Sequence, residues 1–127
     1  MAELTNTALI WNRACGGDVV SLLAGDRALE DLLLVHGYVM NGGVFHAIEG
    51  IEAELLADAQ SGYRYLGFDS VADLLNEAKS IFESGQNLDQ FEIELGNRYT
   101  ELIPDDSVLF KRFEDCLQQN PSEFAPL

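Results

Sequence analysis

The chain has 127 residues, with 22 acidic and 7 basic side chains, a formal charge of −15, and 47% hydrophobic residues that include 9% aromatics. Length and apolar content suffice for one domain with its own core, and they exclude an acidic disordered chain, which would be poor in large apolar side chains. The charge excludes direct nucleic-acid binding and adhesion to anionic membrane, and it favours basic protein surfaces.

Met1-Ala2-Glu3 offers no basic start for a secretory signal, and Ala8-Leu9-Ile10-Trp11 is too short an apolar run for one. No run approaches the roughly 18 apolar residues of a membrane span. A cytoplasmic protein is expected, with Cys15 and Cys116 as free thiols, since neither has a Cys or His neighbour at metal-ligand spacing.

Apolar residues recur mainly at helical spacing, which predicts an all-α single domain over residues 1–127 with about six to seven short-to-medium helices. A first helix is expected from about Asn6 to Ala14, ended by Gly16-Gly17. A second, with Val19, Val20, Leu22 and Leu23 as its apolar patch, stops near Gly25. Asp26 is a suitable N-cap for the next, which places Leu29, Leu32, Leu33, His36 and Met40 on one side. Asn41-Gly42-Gly43 interrupts it, glycine letting the chain turn or letting another segment come close.

A further helix is predicted from Val44 to Ala59, with Ile48, Ile51 and Leu55 inward and Glu49, Glu52 and Asp58 outward. Gly62 and Gly67 then bracket Tyr63-Arg64-Tyr65-Leu66, a connector. Ser70 with Asp73 three residues on reads as a weakened capping box. Beyond it Val71, Leu74, Leu75, Ala78, Ile81 and Phe82 form the clearest helical stripe in the chain, and Ser84-Gly85 ends it. Asp89 is read as the cap of a helix with Phe91, Leu95, Tyr99 and Leu102 inward, and Gly96 as a potential break. Pro104-Asp105-Asp106-Ser107 starts the last, which runs through Val108, Leu109, Phe113, Cys116 and Leu117 to Asn120-Pro121.

The negative charge is concentrated in the middle. Residues 46–97 hold eleven carboxylates against Arg64 and Lys79, net −9, whereas the flanking segments are net −3 each, with five acids and two bases before and six and three after. Asp69, Asp73 and Glu77 stand at i, i+4 and i+8, which lines them along one helical face about 6 Å apart. Lys79 is two residues from Glu77 and faces elsewhere, so the row is expected to lack a cation. Like charges at this spacing cost a few tenths of a kcal/mol per pair. Such residues are more often simply the solvated face of an amphipathic helix, but solvated faces usually mix both signs.

Asn41-Gly42-Gly43-Val44-Phe45-His46, between two helices, resembles the Asn-Gly-Gly-Phe signature of a family of small, acidic, all-helical bacterial DNA-mimic proteins. Leu66-Gly67-Phe68, then Val71-Ala72 and Leu74-Leu75-Asn76-Glu77-Ala78, are similar to that family's Ile-Gly-Ala turn and following helix, and Asn120-Pro121 and Phe124 to its terminal Pro and Phe. The likeness spans about residues 26–126. Val44 stands where the family has Phe, and His46 where it has Gln. The resemblance implies a carboxylate face that imitates duplex phosphates and occupies a DNA-binding protein. Duplex DNA presents one charge per roughly 1.7 Å, or roughly 18 over a domain about 30 Å across, so one monomer could copy only a face of it and a twofold dimer would cover more.

These observations favour an acidic protein-interaction module with a basic partner, carried by Glu49, Glu52, Asp58, Asp69, Asp73 and Glu77. An immunity or antitoxin-like inhibitor of a basic toxin is the alternative. A third reading places a small-ligand or catalytic site at the Gly pair, where His36, Asn41 and His46 would converge with Trp11 or Tyr38, although a His in an apolar stripe is more often a satisfied core residue. No phosphate-cradling loop, metal-protease motif or nucleophile elbow occurs, so no enzymatic activity and no cofactor are expected.

Overall fold

The computed structural model describes residues 6–16 and 23–125. Seven α-helices and no strand occur among them: α1 (Asn6–Gly16), α2 (Ala24–Gly42), α3 (Val44–Gly50), α4 (Ala53–Tyr65), α5 (Asp69–Glu83), α6 (Asp89–Leu102) and α7 (Asp106–Gln119), with a 3-10 turn at Pro121–Glu123. The all-α single domain expected from apolar spacing is what forms. No described helix is long and apolar enough to cross a membrane. The short helix expected over residues 19–25 lies outside the described residues up to position 22, and from Ala24 the chain is already α2.

The long α2 is the organising element and packs against α1, α3 and α4, while α5 joins α3, α4 and α6. Its core face is Leu29, Leu32, Val35 and Val39. Met40, expected on that face, is 58% exposed, because the stripe follows Val35 and Val39 instead. Asp26 is not the N-cap: it is the third residue of α2, 1% exposed, and accepts from the Leu23 backbone N–H at 3.3 Å. Its carboxylate also takes Arg13 of α1 at 2.9 Å and the Ala125 N–H at 2.7 Å, so one buried charge ties α1, α2 and the C-terminal segment.

Where one helix was expected from Val44 to Ala59 there are two. Ile51 is extended (φ −112°, ψ 134°) and closes α3, its N–H bonding the Ala47 carbonyl at 3.1 Å. The break shifts the periodicity, so that Leu56 is buried and Leu55 is exposed, the reverse of the expected stripe. Of the connector expected at Tyr63–Leu66, Tyr63 to Tyr65 are the end of α4 and Leu66 is its C-cap. Gly62 does not stop the helix; a Cβ there would lie 2.5 Å from the Ala28 carbonyl oxygen, so the glycine lets α2 and α4 come together.

Helix α5 buries Val71, Ala72, Leu74, Leu75 and Ala78, with Ile81 and Phe82 packed at the margin, as its stripe predicts. Ser70 makes no capping bond; α5 follows Phe68, and Asp69 supplies negative charge to its positive end. Helix α6 runs unbroken through Gly96, and its start is held by the Asn87 side chain, which accepts from the Asp89 N–H at 3.1 Å. Asp105 caps α7 by accepting from the Ser107 N–H at 2.9 Å and from its hydroxyl.

Candidate functional site

The carboxylates of residues 46–97 divide into two populations. Asp69, Asp73 and Glu77 line the outer face of α5, all exposed, but they do not lack cations. Arg64 in the last turn of α4 reaches Asp73 at 2.6 Å and Asp69 at 3.8 Å, and Arg98 of α6 reaches Glu77 at 2.9 Å. The expectation of an unpaired row is therefore corrected: helical periodicity locates neighbours on the same helix and is blind to cations delivered by adjacent ones. These pairs are exposed, and each is worth little in stability.

The other eight, Glu49, Glu52, Glu54, Asp58, Glu83, Asp89, Glu92 and Glu94, are exposed and form no ion pair among the described residues. Glu54 and Asp58 stand four apart on α4, while Glu49 and Glu52 flank the α3–α4 break. No cation among the described residues bridges this part of the acidic surface.

The Asn41-Gly42-Gly43 segment has a clear geometric purpose. Gly43 takes φ +97° between α2 and α3, a conformation other residues rarely adopt. A Cβ on Gly42 would lie 2.6 Å from the His46 ring, so its absence makes room for that imidazole. His46 then stacks on Tyr38, with centroids 5.3 Å apart and planes at 27°. Phe45 is buried and packs near Phe82 rather than facing the solvent.

Beside this stack lies a cavity of about 880 Å³ between α1, α2, α3 and α4, with Asp106 at the start of α7 also on its wall. It does bring together Trp11, His36, Tyr38, Asn41 and His46, as the third reading expected. Within it His36 is a satisfied core residue. Its Nδ1 is 2.8 Å from the Tyr99 hydroxyl, its Nε2 is 2.7 Å from Asp106, and the Tyr63 hydroxyl is 2.7 Å from that of Tyr99. Burial raises the pKa of both phenols, so they remain proton donors, and the four side chains form one continuous hydrogen-bonded chain, Tyr63–Tyr99–His36–Asp106. His46 is exposed and carries no such network.

Three acidic residues on this wall were not singled out by sequence reasoning: Glu30, Asp31 and Asp106. Asp31 is pushed up to about 6, first by desolvation and then by Asp58 and Glu30, which outweigh Arg27. One oxygen of Glu30 is shut off from solvent with no hydrogen-bond partner among the described residues. The Cys15 thiol, also on the wall, is raised by desolvation and by Asp106, which makes it a weak nucleophile. Cys15 and Cys116 are both free.

No curated protein and no solved structure matches the chain. Residues 21–124, most of its length, match the family described as DMP19-like protein, with both the Asn-Gly-Gly turn and the acidic α3–α6 region inside the matched span. The chain belongs to the DMP19-like protein family.

Proposed function

We propose that the protein is an acidic interaction module that works by binding rather than catalysis, its carboxylates engaging the basic DNA-contacting surface of a partner protein and holding that partner off DNA. The observation that carries this reading is the set of eight exposed carboxylates on α3 to α6 that no cation neutralises among the described residues. Charge left unpaired while cations elsewhere are used in bridges costs self-repulsion, and a basic partner removes that cost. The resemblance of the Asn41-Gly42-Gly43 segment and of the α5 region to a DNA-mimic family supports the same class of partner.

Glu49, Glu52, Glu54 and Asp58 contribute most of the attraction, and the α5 row contributes less because Arg64 and Arg98 already sit on it. The test captures partners from a lysate of the source cell at low and high salt and challenges them with duplex DNA. A partner that duplex DNA displaces, and whose affinity falls steeply with salt, is the expected result. Neutralising Glu49, Glu52, Glu54 and Asp58 together to Gln or Asn should weaken binding more than neutralising Asp69, Asp73 and Glu77. A partner indifferent to duplex DNA overturns the mimicry, and capture of a basic toxin whose activity is blocked favours the inhibitor reading.

A further inference from the structure

Helix α6 buries Leu95 and Tyr99 on one side, and its other side carries Ile93, at 75% the most exposed large apolar side chain among the described residues. Arg98 turns toward α5, where it meets Glu77 at 2.9 Å. Glu92 turns toward α3, where a Cβ on Gly43 would lie 3.5 Å from its Oε1. Between these two flanks, on the side away from the core, Gln90, Ile93, Asn97 and Thr100 are all exposed.

Those four residues are spaced 3, 4 and 3 apart, the pattern of a coiled-coil seam, over about 15 Å of helix. In the heptad they define, Gln90 and Asn97 take the a positions and Ile93 and Thr100 the d positions. The seam is uncharged, although α6 holds four carboxylates and one cation. Its e positions are Glu94 and Glu101, and its g positions are Asp89 and Gly96. None of these three carboxylates forms an ion pair among the described residues. At Gly96 a Cβ would meet nothing within 4 Å, so the edge is open to close approach by another helix. A single exposed aliphatic residue is ordinary on a protein surface. Ile93 differs in standing at a d position between two edges that lack any cation, where a charged residue would be the more soluble choice and the better helix former.

We propose that this face of α6 pairs with a helix of the basic partner protein, one that sets aliphatic side chains against Ile93 and carries Lys or Arg at its own e and g positions. Charge decides the occupant. In a second copy of the chain, acids would meet acids in either helix orientation, whereas a helix with basic edges complements both sides of the seam. The inference rests on the proposed function and deepens it: charge alone gives fast, salt-labile association, and Ile93 adds a desolvated centre that slows dissociation.

The probes are two labelled, capped helical peptides, each about three heptads long with Lys at every e and g position, one with Leu and the other with Ala at every a and d. Anisotropy titrations of the intact protein at low salt should show the Leu peptide binding about five- to tenfold more tightly than the Ala peptide. Ile93→Gln should bring the Leu peptide to the affinity of the Ala peptide and leave the Ala peptide unchanged, while Ile93→Leu should keep the difference. Met40→Gln, which removes an exposed apolar side chain from α2, should keep it too. Equal binding of the two peptides, or a difference that survives Ile93→Gln, overturns the seam and leaves the acidic-surface reading standing. Failure of both peptides to bind overturns the two together. Sedimentation of the protein alone tests the remaining occupant: a dimer that Ile93→Gln dissociates assigns the face to a second copy and overturns the basic helix.

Discussion

His36 of α2 and Asp106 of α7, 70 residues apart, meet at 2.7 Å, and the same imidazole bonds Tyr99 of α6 on its other nitrogen. Tyr99 in turn bonds Tyr63 of α4, so a line of polar atoms crosses a mostly apolar core. Tyr99 is the middle link and Tyr63 the end. Tyr99→Phe leaves the Tyr63 hydroxyl and His36 Nδ1 without partners and should cost about 1–3 kcal/mol. Tyr63→Phe removes a single bond and should cost about 0.5–1.5 kcal/mol. Urea denaturation of the two variants measures the difference, and an equal cost would show that the chain does not act as one unit.

Two glycines in helices should respond oppositely to alanine. At Gly62 the added Cβ meets the Ala28 carbonyl oxygen at 2.5 Å, a backbone atom that cannot step aside, so α2 and α4 must separate. A loss of about 1–3 kcal/mol is expected, as for overpacking generally. At Gly96 a Cβ meets nothing within 4 Å, and the helix gains from reduced freedom of the unfolded chain. There Gly96→Ala should stabilise by about 0.4–1 kcal/mol. Thermal melts of both variants decide it.

That contrast also shows which parts of the structure were legible in the sequence. The α5 stripe and the Asp105 cap were readable because each is local: a period of 3.6 over one helix, or a side chain reaching the N–H two residues on. Gly62 and Gly96 look alike in sequence and differ only in what lies opposite them. The break at Ile51 was hidden because apolar residues continue on both sides of it, one position out of phase. At the candidate sites the glycine pair points to His36, Asn41 and His46 converging with Trp11 or Tyr38, and all five line the cavity. The Arg64 and Arg98 bridges and the Glu30–Asp31 wall depend on helix–helix juxtaposition that no local pattern encodes.

Asp31 should make the protein less stable as pH rises. Its folded pKa, about 6, lies above the unfolded value near 3.9, so between these values the folded state holds a proton that the unfolded state releases. Stability from this group is present below the unfolded pKa and is lost as pH climbs through about 6. Because Asp31 is partly solvated, the loss between pH 5 and pH 8 should be only about 0.5–1 kcal/mol after screening. Asp31→Asn should remove that slope and be the more stable protein at pH 8. Urea midpoints of both proteins at the two pH values test it, and parallel changes would show that Asp31 titrates normally.

Arg64→Gln separates charge used for stability from charge available to a partner. Arg64 bridges Asp69 and Asp73 from the surface, so its loss exposes a like-charged i, i+4 pair but removes only solvent-screened attraction. Stability should fall by less than about 1 kcal/mol, and by nearly nothing in about 0.5 M salt, where the Debye length is only a few ångströms. Under the proposed function the same substitution frees two carboxylates on the face of α5, and partner affinity at low salt should rise. Denaturation at two salt concentrations beside a binding isotherm gives both quantities on one variant. Weaker partner binding with stability intact would place Arg64 itself in the interface and take the α5 row out of the attractive surface.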